Sequence, residues 1–336
     1  MRSAAILTAM VLAFSIDSAS GQARILQTNS GGDNVHLIDP ATNKVVGEIK
    51  GLPANHGAAG SPDGTRIYVS VEGNNSFAVV DAKTLAIIKS IPLTGRPNNI
   101  TVSKDGKKVY VAIAAQPGAV EVIDAVSMTS LKTIPTRGAE HNVYVTPDGK
   151  FLVAGSVGGR NVTVIDTATD KEVWSLFDKG VRPITFDTNP DGSTRNMYVE
   201  LSDFHGFVVV DFKQQKEIAR ITLPEVPADK RNTGPINAAP AHGIGVTPDG
   251  KALFVCSRLN SHVYVYSIPD LKLAADIEVG HDPDWITFSP DSKTAYVASA
   301  GTDSVSVVDI ASKKQVDKIP VGKVPKRNST AVLKLK

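Results

Sequence analysis

The chain has 336 residues, of which 36 are basic and 34 acidic, giving a formal net charge of +2. Because Lys and Arg are scattered rather than gathered in a stripe, we do not expect a nucleic-acid partner. The single cysteine, Cys256, lies in an apolar strand pattern, so it can form neither an intramolecular disulfide nor a metal cluster alone. We expect a buried, inert thiol.

The first residues are typical of a secretory signal peptide. Arg2 is followed by an apolar stretch at residues 4–16, which is too short to span a bilayer, and by small residues before position 24. The cleavage site is predicted at Ser18-Ala19-Ser20 or at Gly21-Gln22-Ala23. With residues 1–23 removed and no later run of about 20 apolar residues, we expect a secreted chain without a membrane span. It would be periplasmic or extracellular.

One short phrase recurs seven times: alternating β-branched or apolar residues that end, in six copies, on aspartate. The copies are residues 35–39, 77–81, 120–124, 162–166, 207–211, 263–267 and 305–309. Their ends are separated by 42, 43, 42, 45, 56 and 42 residues, which is the period of a four-stranded propeller blade. The sequence therefore predicts an all-β, seven-bladed β-propeller of antiparallel blades, with residues 24–336 as one domain.

A turn of the type Ser/Thr-x-Asp-Gly precedes most of these phrases, as in Ser61-Pro62-Asp63-Gly64. The strands that follow the turns carry Tyr-Val pairs or their equivalents, which we assign to the core. These are Tyr68-Val69, Tyr110-Val111, Leu152-Val153, Tyr198-Val199, Phe254-Val255 and Tyr296-Val297. The aspartates that end six of the seven phrases lie at turns on the opposite face, where bonding to nearby backbone explains them.

The two ends of the chain complement each other. Residues 24–50 supply three strands of a blade without an inner strand, and residues 329–335 resemble an inner strand without the other three. We predict that the C-terminal strand completes the N-terminal blade and closes the ring. One insertion, residues 224–240, joins an outer strand to the next inner strand and is a candidate lid over the channel.

The period, the Ser-Pro-Asp-Gly turn and the Tyr-Val strand together resemble the YVTN-type, YncE-like seven-bladed propellers. The namesake motif is altered here, for example to Tyr68-Val69-Ser70-Val71. The resemblance covers nearly the whole mature chain and implies the fold. It implies no single activity, although the group is distantly related to the haem d1 domains of nitrite reductases.

The starts of the inner strands carry the sharpest functional signal. Five residues before five of the six turns stands a polar residue, Lys326 is its equivalent in the closing strand, and Arg182 lies nearby in the remaining blade. The seven are His56, Asn98, His141, Arg182, His242, Asp284 and Lys326. His56, His141 and His242 form a tentative metal set, since three imidazoles and an open position suit a catalytic-type metal site.

The loops between the second and third strands add polar residues to the same face. They are Glu72, Glu200, His205, Arg258 and His262, and His281 begins another blade. Six of the seven histidines thus map to one end of the molecule, while His36 lies within a strand. Trp285 is a candidate for stacking on a ligand at the channel, and Trp174 is assigned to packing.

Three functions remain open. The first is a propeller, expected to be monomeric, that binds a small molecule, a metal or a partner protein at a His-rich channel mouth. The second is a metal-dependent lactonase- or lyase-like enzyme that uses the three histidines, with Glu72 or Glu200 as general base. The third is a haem d1 or copper redox protein. Histidines that cap backbone groups or line a water-filled funnel are the structural alternative.

Other chemistries lack their motifs. The sequence shows no Ser nucleophile motif, no phosphate loop and no Cys-x-x-Cys. Without Cys-x-x-Cys-His, covalent c-type haem is excluded by the usual signature.

Overall fold

The computed structural model describes residues 21–233 and 239–335. Within them, 28 strands form seven antiparallel sheets of four strands each, the blades of a propeller. The predicted fold class is confirmed.

The strands follow in chain order, with blade numbers used below. Blade 1 contains β1 (Gln22–Asn29), β2 (Asn34–Asp39) and β3 (Lys44–Ile49). Blade 2 contains β4 (Asn55–Gly60), β5 (Arg66–Val71), β6 (Ser76–Asp81) and β7 (Ile87–Pro92), and blade 3 contains β8 (Pro97–Val102), β9 (Lys108–Ile113), β10 (Ala119–Asp124) and β11 (Thr129–Pro135). Blade 4 contains β12 (Glu140–Val145), β13 (Phe151–Ser156), β14 (Asn161–Asp166) and β15 (Lys171–Leu176).

The second half repeats this order. Blade 5 contains β16 (Val181–Thr188), β17 (Thr194–Leu201), β18 (Gly206–Asp211) and β19 (Lys216–Thr222). Blade 6 contains β20 (Ala241–Val246), β21 (Ala252–Ser257), β22 (His262–Ser267) and β23 (Leu273–Glu278), and blade 7 contains β24 (Pro283–Phe288), β25 (Thr294–Ser299), β26 (Ser304–Asp309) and β27 (Lys314–Pro320). The last strand is β28 (Pro325–Leu333), and short 3₁₀ turns cover Glu72–Asn74, Ala228–Lys230 and Ala300–Thr302.

The C-terminal strand closes the ring, as predicted. The first sheet has the order β28-β1-β2-β3, so β28 is the inner strand of blade 1. It pairs antiparallel with β1 and packs between the inner strands of blades 7 and 2. Pairing already begins at Gln22 and Ala23, which face Leu333 and Val332. Closure removes the free sheet edges that an open array would expose.

The Ser/Thr-x-Asp-Gly turn holds each inner strand to its neighbour. In blade 2 the Ser61 hydroxyl donates to Asp63 Oδ1 at 2.5 Å, and the backbone N–H of Thr65 donates to the same oxygen at 3.0 Å. Gly64 has φ +73°, a left-handed conformation that glycine adopts without steric cost. The aspartates at the ends of the third strands make similar local bonds: the backbone N–H of Thr84, for example, donates to Asp81 Oδ1 at 2.8 Å.

The core lies between the blades and contains the predicted aromatics. Tyr68, Tyr110, Tyr198, Phe254 and Tyr296 are all buried. Blade 4 corrects the sequence prediction by one residue. Val153 pairs with Val164 as Tyr68 pairs with Val79, so Val153, and not Leu152, occupies the tyrosine position.

The insertion lies between β19 and β20. Within it, Asn232 contacts the loop between β21 and β22: its side-chain N–H groups donate to the carbonyl of Arg258 at 2.7 Å and to the hydroxyl of Ser261 at 2.8 Å. Residues 234–238 are outside the described part, and the lid role stays a prediction. Cys256 is free and buried, and burial raises the pKa of its thiol well above the usual value, as expected of an inert thiol.

The closing strand offers a direct test of its contribution to stability. Leu333 is fully buried in the core between blades 1 and 2, whereas its neighbour Val332 is 52% exposed. We expect Leu333→Ala to lower the free energy of unfolding by about 2–5 kcal/mol, because it leaves a cavity. Val332→Ala is the matched control and should change it by less than about 0.5 kcal/mol. Urea unfolding followed by circular dichroism measures both, and equal small effects would contradict a closing role.

Candidate functional site

The seven polar positions predicted from the sequence are equivalent in the structure. Each is the second residue of an inner strand, from His56 in β4 to Lys326 in β28. Just after this point the pairing of every inner strand with its neighbour shifts register, as between Asn55 and Ala58 in β4. Such bulges re-aim side chains. The channel mouth is defined here by the second and third residues of the seven inner strands.

Arg327, the third residue of β28, crosses the channel. Its Nη1 donates to Asn142 Oδ1 at 2.7 Å and its Nη2 donates to Asn98 Oδ1 at 2.5 Å. Its guanidinium carbon lies 4.0 Å from the centroid of the Trp285 ring. The side chain is only 3% exposed, and burial lowers its pKa to about 10, so it stays charged at neutral pH. One cation from blade 1 thereby joins blades 3, 4 and 7.

Asp284 anchors a cluster of charges beside this arginine. Its carboxylate is fully buried, with Lys326 Nζ at 2.7 Å from Oδ2 and Arg258 Nε at 3.2 Å from Oδ1. Arg258 also pairs with Asp282. Two cations thus compensate one buried anion, as a buried charge requires.

Two histidines meet at the centre of the mouth in different tautomers. The rings of His141 and His242 are 5.5 Å apart and perpendicular. His242 Nδ1 lies 2.8 Å from the carbonyl of Asp284, so it carries the proton and leaves Nε2 as an acceptor. His141 Nδ1 lies 2.6 Å from the amide nitrogen of Asn142, so it accepts and its Nε2 carries the proton. Burial and nearby cations lower the pKa of both rings well below 6.5, and both are neutral at pH 7.

His56 forms a separate pair with Glu72. Its Nδ1 lies 3.0 Å from Glu72 Oε1, and Arg96 lies 3.4 Å from the other carboxylate oxygen. Burial lowers the pKa of His56 despite this carboxylate. Burial alone would raise the pKa of Glu72, but the contact with His56 and the charge of Arg96 outweigh it and lower that pKa. A histidine oriented by an ionised carboxylate is a common arrangement for a general base.

Glu200 and Glu140 are buried carboxyl groups with raised pKa values. Glu200 accepts a hydrogen bond from the backbone N–H of Gly243 at 2.9 Å, and burial raises its pKa well above the usual value. This direction favours the protonated form of Glu200, and its role as a general base stays a prediction. Glu140, the first residue of β12, has no well-formed hydrogen bond to either carboxylate oxygen within the described residues, and burial raises its pKa to about 8.

The tentative metal set is not assembled. Among residues 21–233 and 239–335, no group of three or more His, Cys, Asp or Glu side chains is placed to hold a metal ion. His56 and His242 each use Nδ1 on a protein oxygen. Of these three histidines, His141 and His242 are in direct ring contact.

The remaining candidate residues lie farther out or pair locally. His205 Nε2 is 2.8 Å from the hydroxyl of Ser257 in the next blade, and burial lowers its pKa to about 4. His262 pairs with Asp276 on an outer strand, and His281 is exposed. Arg182 Nε donates to Ser202 at 2.9 Å and borders a cavity of about 430 Å³.

Sequence reasoning missed Arg327, Asn142 and Glu140. All three lie next to a residue that the five-residue count selected, two of them at the third position of an inner strand. Trp285 was expected to face a ligand, but Arg327 covers one face of its ring. Arg327 and Asn142 could have been found from the sequence, because each follows a polar residue within a strand that is expected to be buried.

Family models match both halves of the chain. A model described as "YNCE-like beta-propeller" matches residues 13–144. A model described as "Lactonase, 7-bladed beta-propeller" matches residues 132–316, just over half of the chain. The chain belongs to the seven-bladed β-propeller lactonase family. Its YncE-like character, inferred above from the repeats, is confirmed.

Curated relatives of this lactonase-family propeller match only in part. Antigen Lp49 of Leptospira interrogans is 32% identical over 179 residues, which is 52% of this chain and 31% of Lp49. The uncharacterized protein YncE of Salmonella typhi is 29% identical over 99 residues, or 30% of this chain and 27% of YncE. The matched segments therefore span about a third or less of these relatives.

Solved structures of low identity share the fold. Hydrazine synthase of Kuenenia stuttgartiensis aligns with a TM-score of 0.74 at 23% identity, covering 90% of this chain and 99% of that one. The periplasmic gluconolactonase PpgL of Pseudomonas aeruginosa aligns with a TM-score of 0.72 at 19% identity, covering 93% and 100%. In the described part of this lactonase-family propeller, no helix has the length and apolar character needed to span a bilayer.

Glu140 predicts a specific pH dependence of stability. In the unfolded chain this carboxyl titrates near 4.5, and in the folded protein near 8. The contribution of protonated Glu140 to the free energy of unfolding is fully present below pH 4.5. It is lost as the pH rises to about 8, because the carboxyl group then ionises in the unfolded chain but not in the folded one. The free energy of unfolding falls by about 4 kcal/mol over this range. Glu140→Gln should match the wild type at pH 4.5 and be more stable at pH 8.5. Urea unfolding at both pH values measures this, and parallel pH profiles would contradict it.

Proposed function

We propose that the channel mouth binds a small molecule that carries a carboxylate. The carrying observation is the buried cation of Arg327. Within the described residues it forms no ion pair with a carboxylate, and its Nε has no hydrogen-bond partner. Asp284 and Glu72 act on Arg327 through charge without an ion pair at contact distance. A buried cation without a contacting anion is costly, and a carboxylate is the partner that a guanidinium binds best. A ligand anion would supply what the protein side chains do not.

The surroundings favour a polar, hydroxylated anion. Lys326 and Arg258 flank the site, but Asp284 and Asp282 pair with them, so the charge left to attract an anion is that of Arg327. The neutral rings of His141 and His242 offer one N–H donor and one lone pair at their Nε2 atoms, as deduced from the partners of Nδ1. Such a pair can donate to one ligand oxygen and accept from a hydroxyl group. Hydroxy acids combine both features.

The binding proposal is tested with D-gluconate as the probe. We expect one saturable site by titration calorimetry, weakened as salt is raised. Lys326→Gln should lower the affinity about tenfold, because it removes a charge near the anion at a site that is already partly exposed. Lys104→Gln, on the opposite face of the ring, is the matched control and should bind as the wild type does. No binding of any small hydroxy acid to the wild type would overturn the proposal.

A second candidate is hydrolysis of a lactone to its hydroxy acid. The family match over residues 132–316 and the gluconolactonase among the fold neighbours support this candidate. In this hypothesis His56, oriented by Glu72, takes a proton from the attacking water through Nε2. The guanidinium of Arg327 stabilises the oxyanion that forms on the lactone carbonyl, and the ring C–O bond then breaks, with the proton returned to the released hydroxyl.

Lactonase activity is measured by base titration with glucono-δ-lactone, after subtraction of spontaneous hydrolysis. We expect His56→Gln and Glu72→Gln to lower kcat by about 10²-fold, the usual effect of losing a general base or its partner. Gluconate affinity should stay within about threefold. His262→Gln, which alters a histidine outside the mouth, is the control. Binding of gluconate without any enhanced hydrolysis would leave binding alone as the function.

We also propose that the chain is exported. The apolar segment that suggests a signal peptide lies in residues 1–20, outside the described residues. Cleavage after Ser20 fits the fold better than cleavage after Ala23, because Gln22 and Ala23 belong to β1 and pair with β28. The mass of the chain recovered from the periplasm checks this, and a full-length cytoplasmic chain would overturn it.

A further inference from the structure

A second pocket lies on the face opposite the channel mouth. It opens between blades 4 and 5, at the turns that follow β12, β16 and β18, and has a volume of about 450 Å³. Phe151, Trp174 and Phe212 form its apolar wall, and Lys150 and Lys213 lie at its rim. This volume is within the range of small-molecule sites. We name it the inter-blade pocket.

The pocket has a cause in the repeat. In each blade one residue of the second strand pairs with the fourth residue of the third strand, as Tyr68 pairs with Val79. Five blades carry an aromatic ring at this position of the second strand. Blade 1 has Leu26 at this position, and blade 4 has Val153, the smallest of the seven. Tyr68 and Tyr110 line the equivalent clefts of blades 2 and 3. In blade 4, Phe212, Phe151 and Trp174 pack in the same core cluster as Val153, and these three rings line the pocket.

The wall is a cluster of aromatic rings. Phe212 lies 5.3 Å from Trp174 and 5.6 Å from Phe151, both between ring centroids. Trp174 and Phe151 are half-buried, so part of each ring faces the pocket. Offset and edge-to-face contacts with such rings favour a planar aromatic guest.

The polar groups around the aromatic wall favour a negatively charged ligand. Lys150 and Lys213 are exposed cations, and the single carboxylate of the lining, Asp148, accepts from the hydroxyl of Thr146 and the backbone N–H of Lys150. Thr194, another lining residue, is only 7% exposed, and its hydroxyl has no hydrogen-bond partner within the described residues. The pocket thus combines an aromatic wall, a net positive rim and an unsatisfied hydroxyl.

We propose that the inter-blade pocket binds a small aromatic acid. The ring lies against Trp174 and Phe151. The acid group meets the ammonium groups of Lys150 and Lys213. This site is independent of the channel mouth, because its residues lie at the opposite ends of the strands.

The experiment uses 2-naphthoate as the probe and 2-naphthalenemethanol as its neutral counterpart. Titration calorimetry should give one site for the acid, with at least tenfold weaker binding of the alcohol. Trp174→Ala should weaken binding of the acid at least tenfold, because it removes one ring of the aromatic wall. Unchanged binding to folded Trp174→Ala would overturn the proposal.

Two further variants keep the test decisive if Trp174→Ala fails to fold. The exposed double variant Lys150→Gln with Lys213→Gln should weaken the acid at least tenfold and leave the alcohol within twofold. Lys326→Gln, at the channel mouth, should bind 2-naphthoate as the wild type does. Loss of binding in Lys326→Gln alone, equal binding of acid and alcohol, or binding of a pyranoside in place of the acid would each refute an aromatic-acid site here.

Discussion

The buried guanidinium of Arg327 is the contact on which the organisation of the channel depends. It is carried by β28, the strand that also closes the ring by pairing with β1. Its partners are the side-chain oxygens of Asn98 and Asn142 and the ring of Trp285. Closure and site assembly are therefore one event, because the strand that completes blade 1 brings the central cation into the channel. Burying this charge among neutral amides is costly, which is the reason to look for an anion there.

The sequence was sufficient for the fold, because a repeat of 42 to 45 residues reports blade number directly and the unmatched ends report closure. It also placed seven polar residues at equivalent strand positions. It could not place Arg327, since a bulge turns two consecutive residues of an inner strand toward the channel, and period-two alternation predicts only one. The distances between His56, His141 and His242 depend on the channel width and on local partners such as Glu72, which no pattern encodes.

Membership of the lactonase family fixes the architecture and leaves the activity to the site. The solved neighbours are at most 23% identical, and the curated relatives match over part of their length. Both candidate functions use the same cation, as the partner of a carboxylate product or of the oxyanion that precedes it. They differ in whether the pair of His56 and Glu72 moves a proton. The two proposed functions therefore use the same site, and the hydroxy acid of the binding proposal is the product of the hydrolysis proposal.

The span of Arg327 has a mechanical consequence. In a propeller each blade normally touches only its two neighbours, so a disturbance passes around the circle step by step. Here one side chain from blade 1 reaches blades 3, 4 and 7 directly. A molecule that immobilised this side chain would stiffen four blades at once. Amide hydrogen exchange would then slow in segments far apart along the polypeptide, a spoke-like response that neighbour-to-neighbour packing alone cannot produce.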